Sequence, residues 1–116
     1  MKDCIFCKIA NKQIPAKIVF EDKDVIAFHD IHPIAPVHVL IIPKKHIPTI
    51  DDLKEEDTLL IGKLIQRAKE IARELNTAQI GYKLLFRVKK GGGQEIDHIH
   101  LHLLGGAKLY EEIRPL

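Results

Sequence analysis

Short runs of β-branched and aromatic residues dominate the first third of the chain, and a helical stripe dominates the middle. Residues 17–21, 24–29 and 38–43 read as three strands; the charged cluster Glu21-Asp22-Lys23-Asp24 forms a tight turn between the first two, and Pro33 and Pro36 enforce an extended link to the third. Before them, residues 4–11 form a short helix closed by Asn11 and followed by Pro15. After them, Thr49, Asp51 and Asp52 are N-cap candidates, and Glu55, Glu56 and Asp57 put negative charge where a helix dipole favours it. Leu60, Ile61, Leu64, Ile65, Ala68, Ile71, Ala72 and Leu75 then recur every three or four residues, predicting a long helix that covers a sheet and ends at Asn76. Residues 82–88 and 97–103 read as two further strands around the loop Gly91-Gly92-Gly93. The order α-βββ-α-ββ, with short links within the strand runs, predicts an α+β fold: an antiparallel sheet with helices packed on it, in one domain spanning 1–116.

Charge and composition narrow the function. The 116 residues carry 18 Lys+Arg against 16 Asp+Glu, a net charge of +2, with no basic block longer than Lys44-Lys45 or Lys89-Lys90, which argues against a nucleic-acid partner. No run approaches the roughly 18 apolar residues needed to cross a bilayer, and Met1-Lys2-Asp3-Cys4 lacks the apolar core of a secretion signal, so the expectation is a cytoplasmic protein without a membrane partner.

Histidine is unevenly placed. Of seven histidines, three fall at His98, His100 and His102. On a strand, this period of two sends the three imidazoles to one face and Ile99, Leu101 and Leu103 to the other, so one face is core and the other a site. Two chemistries suit it. H-x-H on a strand can offer imidazoles to zinc, and a neutral imidazole can attack phosphorus while its neighbours orient it and protonate the leaving group. The adjacent Gly91-Gly92-Gly93-Gln94, whose backbone N–H groups approach an anion without Cβ interference, favours the second.

The blocks Phe28-His29-Asp30-Ile31, Ala35-Pro36-x-His38-x-Leu40-x-Ile42-Pro43-Lys44-x-His46 and Gly93-Gln94-x-x-x-His98-x-His100-x-His102 resemble, in this order, the histidine triad nucleotide-binding proteins, in particular their nucleoside phosphoramidate hydrolase branch. The resemblance runs from Cys4 to about Gly106. It implies a five-stranded antiparallel sheet with one short and one long helix, in a homodimer whose sheets join edge to edge. It implies that His100 attacks the α-phosphorus of a purine nucleoside phosphoramidate or acyl-adenylate, forming a nucleotidyl-histidine that water hydrolyses to AMP without a catalytic cofactor. His102 then matches the residue on the phosphate and leaving-group side, and His98 and His38 those that hold the nucleophile's environment. Asp30 matches the ribose ligand; Phe28, Ile31 and Leu40 match the wall against the base; Gly93 and Gln94 match the phosphate loop. For Asp30 the alternative is the cap of a turn before Pro33. For the whole chain the alternatives are a dinucleoside polyphosphate hydrolase and an AMP-binding sensor with little turnover.

Two positions depart from the family pattern: Arg87 stands where Asn is usual and Glu95 where Ser is usual, both at the phosphate. Arg87 either contacts the phosphate or pairs with Glu95 across the loop. The pair is expected, because a lone Glu95 would repel an anionic ligand. Finally, Cys4-x-x-Cys7 with His46 and His98 offers two thiolates and two imidazoles, a complete tetrahedral set for a structural zinc, which bacterial proteins resembling this chain often bind. The alternative is two reduced cysteines packed as small apolar groups.

Overall fold

The computed structural model describes residues 3–116. Its elements follow the predicted order: α1 (Ile5–Ala10), β1 (Ile18–Glu21), β2 (Val25–His29), β3 (Val37–Pro43), α2 (Thr58–Glu74), β4 (Lys83–Phe86) and β5 (Leu101–Gly105). The five strands form one antiparallel sheet in the order β1-β2-β3-β5-β4. Asp22 makes the β1–β2 turn, its Oδ1 accepting from the backbone N–H groups of Asp24 and Val25 at 2.8 Å each.

Both faces of the central strands are covered, so β2 and β3 are almost continuously apolar and nearly every position is buried. Alternate residues diverge. Val25, Ala27, Val39, Ile41, Leu101 and Leu103 meet the stripe Leu64, Ala68, Ile71 and Ala72 of α2, whereas Ile26, Phe28, Leu40 and Ile42 meet Phe6 and Ile9 of α1. Cross-strand register turns this division into a row on the α1 side: Phe28 lies opposite Leu40, and Leu40 opposite His102.

The strand boundaries on either side of the glycine loop draw back from the sequence reading. β4 stops at Phe86, and β5 begins at Leu101. The segment carrying His98 and His100 therefore precedes the β5 ladder and is fixed separately, by the Ile99 N–H donating to the Ile47 carbonyl at 2.8 Å. Alternation still holds across it, since Ile99 joins the α2-side core with Leu101 and Leu103. The early cap candidates serve a 3₁₀ turn at Ile50–Asp52, where Asp52 Oδ2 accepts from both the backbone N–H and the hydroxyl of Thr49; Asp57 directly precedes α2. Past the C-terminal end of α2, Asn76 takes a left-handed conformation at φ 61°. No helix among the described residues is long and apolar enough to cross a membrane.

Leu64 is fully buried between α2 and the sheet. Leu64→Ala should lower unfolding free energy by about 2–5 kcal/mol through lost burial and a residual cavity, measured by denaturant titration, with a change below about 1 kcal/mol contradicting its place in this core.

Candidate active site

The α1-side face of the sheet opens into a cavity of about 670 Å³. Phe6 and Ile9 of α1 with Phe28 and Leu40 supply apolar lining, and Ile31, also on the lining, is exposed. The polar lining comprises Asp30, His38, His100 and His102, with Arg87, Gly93 and Glu95 contributed by the β4–β5 connection. Nearly all the residues expected at a nucleotide are thus on one wall. The sequence reading did not include Phe6, Ile9 or the segment Ile14-Pro15-Ala16, which also line the cavity. Apolar residues on a six-residue helix carry no distinctive signal; the pairing of Cys4 and Cys7 with His98 was the available hint that α1 folds back onto this face.

Two expected site residues lie behind the wall. Gln94 is buried, with Oε1 accepting from the Lys89 N–H at 2.8 Å and Nε2 donating to the carbonyls of Pro48 and Ile96 at 2.7 and 2.8 Å. Its side chain shapes the glycine loop and does not line the cavity. At Gly93, φ is +85°, a conformation that calls for glycine, and a Cβ there would come within 3.3 Å of Arg87 Cδ. His98 is fully buried and turns its ring away from the cavity, so its side chain is not beside the other catalytic candidates.

Backbone carbonyls fix the tautomers of His98 and His100. His98 Nε2–H donates to the Pro43 carbonyl at 2.8 Å, leaving the Nδ1 lone pair facing Cys4 Sγ at 3.3 Å, Cys7 Sγ at 3.6 Å and His46 Nδ1 at 3.2 Å. His100 Nδ1–H donates to the His98 carbonyl at 2.8 Å, so the lone pair of its neutral ring is on Nε2. Among the described residues no protein group hydrogen-bonds that Nε2, and no buried side-chain nitrogen lacks a partner, so Nε2 is reached from the cavity. Phe6 packs its ring against that of His100, centroids 5.1 Å apart in an edge arrangement.

His38 and His102 form a second layer, with His38 Nε2 and His102 Nδ1 3.0 Å apart, and His102 Nε2 is 3.3 Å from Arg87 Nη1. Asp30 Oδ1 accepts from the His32 N–H at 2.8 Å, so the turn-capping reading of Asp30 holds, while Oδ2 stands 3.5 Å from His38 Nε2. The expected Arg87–Glu95 ion pair does not form. The guanidinium lies against His102, and Glu95 is exposed on the cavity wall.

Burial keeps these imidazoles neutral. Burial pushes His100 below the ordinary histidine value, the Arg87 charge adding to the shift and the hydrogen bond to the His98 carbonyl opposing it. Burial, with His100 and Arg87 nearby, takes His102 down to about 3, and burial lowers His38 despite the Asp30 carboxylate.

The chain belongs to the HIT domain family, whose model matches residues 11–109. It is similar to the purine nucleoside phosphoramidase of Escherichia coli K12, 45% identical over 108 residues that cover 93% of this chain and 91% of the relative, and to protein HitA of Neisseria gonorrhoeae, 45% identical over 105 residues, 90% and 97% of the two chains. Among solved structures, a HIT family hydrolase from Legionella pneumophila superposes with TM-score 0.91 at 54% identity, covering 93% of this chain and 96% of that one. A histidine triad protein from Clostridium difficile superposes with TM-score 0.94 at 39% identity, covering 97% and 98%.

A lowered folded-state histidine pKa gives stability that is full above the unfolded value of about 6.5 and is lost as pH falls through the folded value. For His102 that window runs from about 6.5 to about 3. The thermal midpoint should therefore fall on acidification across this range, and less steeply in His102→Gln; scanning calorimetry showing equal slopes would contradict a buried neutral His102.

Proposed function

We propose that this chain hydrolyses a nucleoside 5′-phosphoramidate or acyl-adenylate, with His100 as nucleophile. The observation that carries the reading is the hydrogen bond from His100 Nδ1–H to the His98 carbonyl, which leaves an unprotonated Nε2 facing a cavity lined by both apolar and polar side chains. In the proposed reaction Nε2 attacks the α-phosphorus and the P–N or P–O bond to the leaving group breaks; an amine departs with a proton taken from water in the cavity, and a carboxylate departs as the anion. Water then cleaves the nucleotidyl-histidine to AMP. Neutral imidazole is a competent nucleophile near neutral pH, and burial extends its neutral range downward, so this route requires no catalytic cofactor. The base stacks between Phe28, Leu40 and Ile31, and Oδ2 of Asp30 accepts from the ribose hydroxyls. The name of the Escherichia coli relative supports a purine substrate.

Cys4, Cys7, His46 and His98 would hold a structural zinc. Their ligand atoms all lie within 4.8 Å of one another, and the separations of 3.2–3.6 Å suit the edges of a tetrahedron built on Zn–N and Zn–S bonds of about 2.0–2.3 Å. The Pro43 carbonyl is the outer partner that orients His98 for this role. Bound there, zinc would pin α1 to the segment that carries the His100 anchor. The proposed quaternary state is a cytoplasmic homodimer, joined through one of the sheet edges that β1 and β4 leave open within the chain.

His100→Asn should lower release of AMP from adenosine 5′-phosphoramidate by at least about 1,000-fold while AMP still binds. Retained turnover would refute the assignment, and a wild-type protein that binds AMP without turnover would be a sensor. Elemental analysis of protein purified without chelator should find one zinc per chain, and Cys7→Ala should lose it with a fall in Tm of at least about 5 °C; a metal-free wild type of equal Tm would exclude the site.

A further inference from the structure

Arg87, His102, His38 and the Ile34 amide form a hydrogen-bonded row with one proton too many. The Ile34 N–H donates to His38 Nδ1 at 3.2 Å, so neutral His38 carries its proton on Nε2. That proton points at His102 Nδ1, 3.0 Å away, which must therefore accept, placing the proton of neutral His102 on Nε2. Yet Nε2 of His102 faces Arg87 Nη1 at 3.3 Å, and a guanidinium only donates. Moving the His102 proton to Nδ1 satisfies Arg87 but sets two N–H groups head to head at 3.0 Å. Protonating either ring adds a further donor. No arrangement of protons satisfies all three links.

Of the four groups, Arg87 is the one free to move. His38 and His102 are buried and packed against each other, and Ile34 contributes backbone. The Arg87 side chain is half-buried on the cavity wall, with no carboxylate within 4.0 Å among the described residues. An anion in the cavity can accept from both Arg87 and the Nε2–H of His102.

We propose that Arg87 is the anion receptor of this site: on binding a nucleoside monophosphate derivative it leaves His102 for a non-bridging phosphoryl oxygen, and His102 then presents Nε2–H to the same phosphoryl group. This rests on the nucleotide reading above and adds to it a residue that selects for charge on the ligand. A phosphoryl oxygen relieves the mismatch among these donors.

Calorimetric titration with AMP and with adenosine tests it. Arg87→Leu should weaken AMP binding by about 10- to 100-fold, the worth of one charge-assisted hydrogen bond, and change adenosine affinity by less than about 2-fold. Equal loss for both ligands, or no loss for AMP, would overturn the proposal. A wild-type protein that binds neither ligand would overturn the nucleotide reading as well, so the two failures are distinguishable. Side-chain ¹⁵N spectra of the wild type with AMP supply a second measurement, independent of any variant. The His102 proton is expected on Nε2, and its residence on Nδ1 would overturn the proposal.

Discussion

A single hydrogen bond, from His100 Nδ1–H to the carbonyl of His98, joins the cavity to the cluster of Cys4, Cys7, His46 and His98 behind it. It links neighbours two residues apart, so it needs no long-range assembly once the segment is extended. Its effect is to choose a tautomer: with Nδ1 committed as donor, Nε2 must carry the lone pair. The same residue that offers this carbonyl sends its own ring the other way, into the Cys4, Cys7 and His46 cluster. The site's chemistry therefore depends on how firmly residue 98 is held, and Pro43, Ile47 and the thiol cluster all bear on that one short stretch.

Much of this was legible because periodicity has a mechanical meaning. Alternation at 98–103 separates imidazoles from aliphatic groups whether or not a ladder forms, which is why the two-faced reading holds although the β5 ladder begins only at Leu101. The α2 stripe was equally clear, since a helix lying on a sheet must present one apolar face. What could not be read is what depends on side-chain direction. Gln94 and Gly93 are adjacent in one motif, yet one side chain is consumed in bracing the loop while the other residue lies on the cavity wall. The expected Arg87–Glu95 pair rested on the repulsion a lone Glu95 would exert on an anionic ligand. In the fold Arg87 turns inward to an imidazole, and sequence distance gave no warning of it.

Strain and charge concentrate on the connection between β4 and β5. Lys89 has a positive φ of 58°, a conformation that non-glycine residues rarely adopt, and it is held there by Gln94, whose Oε1 takes the Lys89 amide. The exposed Lys89 ammonium reaches Asp51 at 2.7 Å, tying the loop to the stretch before α2. A loop with three consecutive glycines would otherwise be loose, and these contacts set where Gly93 and Arg87 stand relative to the imidazoles.

The six residues of α1 are too few to persist as an isolated helix. The helix keeps its shape because Cys4 caps it, Phe6 and Ile9 are anchored in the smaller of the two cores, and the thiols at its start reach across to His46 and His98. The larger core beneath α2 uses none of these contacts. The wall that α1 lends the cavity thus rests on far fewer contacts than the sheet beneath α2, and fraying of those six residues would reshape the cavity at a lower free-energy cost than any disturbance of the larger core.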